Sequence, residues 1–222
     1  MTIIKDCIAP DRNPKVPGIK LPEGSIDTHV HIFESQYPLF EGRGYNPPDS
    51  TLDDLKHLHS QLGVSRVVYT QPSPYGVDNS AILKGMKVMN DETPGRARGV
   101  CAITMDVTDN FLEDLDKQGI KGVRLNMDNI GGMPIGLDEI PSLEARIKGL
   151  GWHVEYLFPG KDIVELAPIF KKSSVPISIA HFAYQPATNG IDSEGFKTLL
   201  DLVRDGNTWI KISGANRVSA TD

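Results

Sequence analysis

The chain has 222 residues, 39% hydrophobic and 23% charged, which suits a globular protein with a sizeable core and excludes a disordered chain or a fibre. Its formal net charge of -6 and pI near 5.5 argue against a nucleic-acid or anionic-membrane partner, since both need a basic footprint. No stretch approaches the roughly 20 apolar residues that span a bilayer, so a cytoplasmic protein is expected.

A Pro-rich arm, 1–24, comes first, and its prolines argue against a helix. From residue 25 onward, short apolar runs rich in β-branched residues alternate with longer amphipathic ones. The spacing predicts strands at 25–33, 66–71, 96–103, 122–126, 152–158, 176–182 and 208–213. Helices are predicted between them, at 52–62, 79–90, 110–118, 138–150, 162–172 and 193–204. Ser50 and Asp109 read as helix N-caps, and Gly63, Gly119 and Gly151 as glycine stops that lead into strands. "QLGVSRVVYTQ", "KQGIKGVRLN" and "GLGWHVEYLF" therefore share one grammar of helix, glycine and strand. Such units make a parallel sheet covered by helices. A (β/α)8 TIM-type barrel is favoured over an open doubly wound sheet for two reasons. No Gly-rich phosphate loop follows the first strand, and polar residues gather at strand C-terminal ends. Seven strands are found where a closed barrel has eight, so the barrel, 25–222, is expected to be truncated after the seventh. Its first and seventh strands are then expected to be unpaired, with apolar surface exposed.

The chemistry-bearing residues sit at those strand ends. His29 and His31 stand one residue apart in "SIDTHVHIF", so strand alternation aims both imidazoles at one spot, with Asp27 on the same face as a histidine partner. His181 ends the sixth strand and joins them in a barrel mouth. Arg124 ends an apolar strand, where a buried guanidinium needs an anion: either a fixed Asp or Glu of the chain or, the better match to its fork, a bound carboxylate. Arg217 and Asn216 follow the seventh strand, while Tyr45, Ser73 and Tyr75 lie in loops. On the fifth strand, His153 and Glu155 should face away from Tyr156. His57 and His59 fall on the polar side of a helix and read as surface residues. Cys7 and Cys101 have no metal or redox spacing and read as reduced and structural.

"DTHVHIF", "VVYTQPSPYGVDN", "GIKGVRLN", "GWHVEYLF", "ISIAHFA" and "KISGANRVS", in that order, resemble the amidohydrolase superfamily, amidohydrolase 2 type. The resemblance is to the branch that contains 2-pyrone-4,6-dicarboxylate lactonase and related sugar-lactone hydrolases. It implies a distorted barrel and metal-independent hydrolysis of a small carboxylated lactone. His29, His31 and His181 would polarise the lactone carbonyl as hydrogen-bond donors. Arg124 and Arg217 would bind the substrate carboxylate, assisted by Ser73, Tyr45 and Tyr156. An aspartate on the eighth strand would activate water. No cofactor is implied, although other branches hold a divalent metal such as zinc on the matching histidines.

Two departures stand out. The loop after the fourth strand reads "MDNIGG" where that lactonase carries a second basic residue, which points away from a dicarboxylated pyrone. Asp222 follows the seventh strand and does not match the eighth-strand aspartate. A catalytically inactive homologue that binds a small carboxylate, and a metal-dependent amidohydrolase or decarboxylase, are therefore the alternatives. A homo-oligomer is compatible with all three.

Overall fold

The computed structural model describes residues 4–128 and 134–219. Seven strands run parallel in sequential order: β1 (Ile26–Val30), β2 (Arg66–Thr70), β3 (Ala97–Cys101), β4 (Ile120–Asn126), β5 (His153–Leu157), β6 (Ile177–Ile179) and β7 (Thr208–Ile210). Six helices connect them: α1 (Leu52–Leu62), α2 (Ser80–Glu92), α3 (Asp109–Lys117), α4 (Ile140–Ile147), α5 (Ile163–Lys171) and α6 (Glu194–Arg204). A short α7 (Ala215–Val218) follows β7. The sheet curls into most of a barrel, and β1 and β7 form its two edges. The edges approach where the Lys211 ammonium donates to the Thr28 carbonyl at 3.2 Å. Trp209 and Ile212 on the β7 side are 71% and 82% exposed, the apolar surface expected of an open edge.

Local chemistry explains the element ends. Thr51, one residue past the predicted Ser50, caps α1 in a reciprocal capping box with Asp54, because its hydroxyl reaches the Asp54 amide. Thr108 caps α3 in place of Asp109, accepting from the Phe111 amide at 3.2 Å. Gly63 ends α1 in the left-handed region at φ 73°, as a C-terminal glycine should. The predicted helix 138–150 is observed as α4 with a 3-10 turn at each end.

The main core lies between sheet and helices. Val67 and Tyr69 of β2 face Ile82, Met86 and Met89 of α2, and Tyr156 of β5 meets Phe170 of α5 with ring centroids 4.7 Å apart. Odd and even strand positions therefore divide the work: one set builds this core, and the other lines the barrel interior. The arm contributes a two-residue strand, Lys5–Asp6, that pairs with Tyr45–Asn46. Arg12 ties the arm further to the start of α1, donating to the Asp49 carbonyl at 2.9 Å and to Asp54 at 3.3 Å.

Candidate active site

β1 decides where the first two histidines point. Its pairing with β2 runs Asp27↔Val67 and then Val30↔Tyr69, so a bulge places Thr28 and His29 opposite one partner residue. Asp27 consequently faces outward with Val30, while His29 and His31 face the interior. This corrects the expectation that Asp27 shares their face. Asp27 does partner a histidine, but it is His59 of α1, whose Nε2 lies 3.2 Å from Asp27 Oδ2. His59 is 1% exposed and no surface residue, whereas His57 is exposed as expected. The bulge that turned Asp27 outward supplied the partner that makes burying His59 tolerable.

The imidazoles form an ordered chain. His31 Nδ1–H donates to the Thr70 carbonyl at 2.8 Å, which leaves a lone pair on Nε2. His29 Nε2 lies 3.3 Å from that atom and supplies the proton between them. The other His29 nitrogen, Nδ1, accepts from the Lys211 ammonium at 2.9 Å. These partners assign His29 as the Nε2–H form and His31 as the Nδ1–H form. Both rings are held neutral. Burial, followed by the His31 charge, pushes His29 well below the usual imidazole range, while burial and the Arg124 guanidinium pull His31 down to about 3. His181 is also lowered by burial and by Arg217, and its Nδ1 lies 3.0 Å from the Ser213 hydroxyl.

Beneath the imidazoles lie two residues that the sequence reading left without a site role. Glu155, fully buried, forms an ion pair with Lys211, whose side chain is 13% exposed. The remaining oxygen, Oε1, stands 3.6 Å from both His29 Nδ1 and Arg124 Nε. Arg124 is 4% exposed and donates from Nη1 to the Gln71 carbonyl at 2.8 Å. Neither Arg124 Nε nor Glu155 Oε1 has a hydrogen bond among the described residues. Two cations thus share one carboxylate in a low-dielectric site, an excess of positive charge that an anionic ligand would balance.

Above this cluster opens a cavity of about 430 Å³, lined by His31, His181, Tyr45, Ser73, Arg124 and Arg217 among others. His29 lies directly below, with its ring 5.1 Å from that of His181. Seven of the eight predicted site residues are therefore brought together. Tyr156 is the exception. It points to the opposite face of β5 from Glu155, into the sheet–helix core against Phe170, because strand alternation gives adjacent residues opposite faces. Its place at the mouth is taken by Tyr184, whose hydroxyl accepts from Arg217 at 3.2 Å. Tyr45 is a weaker acid than usual because it is buried, an effect partly offset by its hydrogen bond with Ser73. Cys7 and Ile8 of the arm also line the cavity, which places the arm at the site and not at the barrel floor. Cys7 is exposed there and Cys101 is buried in the core; both are free.

His181 and Tyr184 are delivered by an uncommon backbone. Residues 181–184 all have positive φ, between 49° and 53°, a left-handed turn that costs non-glycine residues roughly 1–2 kcal/mol each. It also ends β6 at Ile179, short of the predicted 182. Gly160 permits the turn, since a Cβ there would stand 2.1 Å from the Tyr184 carbonyl oxygen. Of the "MDNIGG" loop, Asp128 lines the cavity, while 129–132 lie outside the described residues, as does Asp222.

A divalent metal at this cluster would have to sit on the same imidazoles. A metal-ligating histidine ordinarily donates its second ring N–H to a carboxylate or carbonyl. His31 does so through Thr70, but His29 presents its second nitrogen to an ammonium donor. A neutral His29 then carries its proton on Nε2, the atom that would have to bind the metal. The donor set does not fit a divalent cation.

A parallel β/α sheet with a polar cluster at the C-terminal ends of its strands defines a TIM-type barrel with its site at the usual mouth. The chain belongs to the amidohydrolase (Amidohydro_2) family, whose model matches residues 26–222. It is 34% identical over 212 residues to a 2-pyrone-4,6-dicarboxylate hydrolase from Comamonas testosteroni, covering 94% of this chain and 68% of that one. It is 33% identical to a 4-sulfomuconolactone hydrolase from Hydrogenophaga intermedia, covering 96% and 70%. A solved structure of a probable 2-pyrone-4,6-dicarboxylic acid hydrolase from Acinetobacter baumannii, with citric acid bound, matches with a TM-score of 0.77 and 30% identity over 89% of this chain and 73% of that one. No helix among the described residues is long and apolar enough to cross a membrane.

Proposed function

We propose that the cavity takes a small carboxylated lactone and that the histidine cluster, without a metal, polarises its carbonyl for hydrolysis. The observation that carries this reading is the charge imbalance beneath the cavity: Arg124 is buried and Lys211 is largely shielded, and among the described residues only Glu155 pairs with them. A substrate carboxylate on Arg124 and Arg217 supplies the missing anion through a guanidinium fork. The relatives support the reaction class, since two of them are named as hydrolases of a pyrone dicarboxylate and a sulfomuconolactone.

Ring opening adds water to the carbonyl carbon, builds negative charge on its oxygen, and breaks the ring C–O bond with a proton delivered to the leaving oxygen. His181 can stabilise the oxyanion from Nε2–H, with Ser213 donating to its Nδ1, while the His29 Nε2–H is engaged by His31 and orients that ring. His31, with its proton committed to Thr70, serves as an acceptor, which narrows the expectation that all three rings donate. The resemblance assigns water activation to an eighth-strand aspartate, and no described residue is given that role. A binding protein without turnover is the second reading. It is favoured by one observation: Glu155, the carboxylate nearest the imidazoles, is already paired with Lys211. Two free cysteines agree with a cytoplasmic location.

The test is hydrolysis of a panel of mono- and dicarboxylated lactones by chelator-treated protein, with ligand affinity measured by calorimetry on the same sample. Arg124→Met should weaken binding about 10–100-fold, the worth of a charge-assisted hydrogen-bonded pair. Unchanged affinity would refute the carboxylate site, and tight binding without turnover would select the second reading.

A further inference from the structure

Lys211 has no counterpart among the residues that the resemblance brought to the site, yet it touches three of its parts. Its ammonium has three N–H donors and no lone pair. All three are engaged: on the Thr28 carbonyl at 3.2 Å, on His29 Nδ1 at 2.9 Å, and on Glu155. We propose that Lys211 is a positioning residue that locks His29 in the Nε2–H form and thereby keeps the His29–His31 pair a hydrogen-bond relay closed to divalent cations.

The alternative arrangement is already built around it. Glu155 Oε1, without a hydrogen bond, stands 3.6 Å from His29 Nδ1 and would accept an Nδ1–H once the ammonium is gone. His29 would then match His31, whose Nδ1–H is held by Thr70. Two Nε2 lone pairs, 3.3 Å apart, would converge on one point, each backed by an oxygen acceptor. That is the arrangement in which paired histidines bind a metal. Lys211 sits between these two states because it alone can meet Nδ1 only as a donor.

The inference deepens the lactone reading, but its test needs no substrate, so a failed hydrolysis assay leaves it intact. The full chain, with 15N-labelled histidine, is studied by two-bond 1H–15N correlation as wild type, Lys211→Arg and Lys211→Met, with His29→Asn assigning the resonance. Zinc affinity is measured on each by calorimetry. Wild type and Lys211→Arg should show a pyridine-type Nδ1 on His29, because both side chains only donate. Lys211→Met should show a pyrrole-type Nδ1 and bind zinc at least about tenfold more tightly, a gain that His29→Asn removes. A pyrrole-type Nδ1 in the wild type, an unchanged form in Lys211→Met, or equal zinc affinities would overturn the proposal. Should Lys211→Met fail to fold, the wild-type and Lys211→Arg spectra decide it.

Discussion

Acidification to pH 5 should destabilise this protein through its buried histidines, and His31 shows how much. In the unfolded chain an imidazole takes up a proton near 6.5, whereas in the fold His31 stays neutral down to about 3. The folded value is the lower one, so the unfolded state binds more protons between those limits, and stability falls as pH falls through that window. Between pH 7 and pH 5 the difference is about 2 kcal/mol for this one ring, since each unit below 6.5 is worth about 1.4 kcal/mol. His31 is partly exposed and lines the cavity, and the resulting solvent screening makes this an upper figure. Urea unfolding at pH 7, 6 and 5 measures the slope. His31→Asn keeps a donor for Thr70 but cannot protonate, so it should lose less stability on acidification than the wild type. Identical slopes for the two would show that His31 is not held neutral by its surroundings, and the account of the relay would fail with it.

Other substitutions separate the buried contacts from the exposed ones. His59→Ala leaves Asp27 without its partner and should cost about 1–3 kcal/mol in urea unfolding, while His57→Ala should stay within about 0.5 kcal/mol. Gly160→Ala should displace the left-handed turn, lowering stability by about 1–3 kcal/mol and weakening ligand binding through His181 and Tyr184; unaltered affinity would detach the turn from the site. Tyr156→Phe should leave ligand affinity unchanged by calorimetry, because the ring faces Phe170 and not the cavity.

The alternation of apolar and amphipathic runs was enough, by itself, to establish seven strands, six helices and their parallel order, because period and glycine stops are local properties of a chain. It also brought His29, His31, Arg124, His181 and Arg217 to one mouth, since the strand C-terminal ends of a parallel barrel converge wherever the chain repeats one unit, whereas Tyr45 and Ser73 became candidates through the family resemblance. What it could not supply depended on relations among strands. The bulge in β1, a shift of one residue against β2, turned Asp27 outward and gave His59 a buried partner, and no periodicity in either segment marks that shift. The alternation on β5 correctly set Glu155 against Tyr156, but which of the two faces the interior was decided by the helix packed behind it. Nothing in its own segment singles out Lys211. Its meaning comes from residues 56 and 182 positions away, which only the curling of the sheet brings within hydrogen-bond reach. Local pattern fixes where polar groups lie along each strand; the curling of the sheet decides which of them meet, and so which nitrogen of His29 holds the proton.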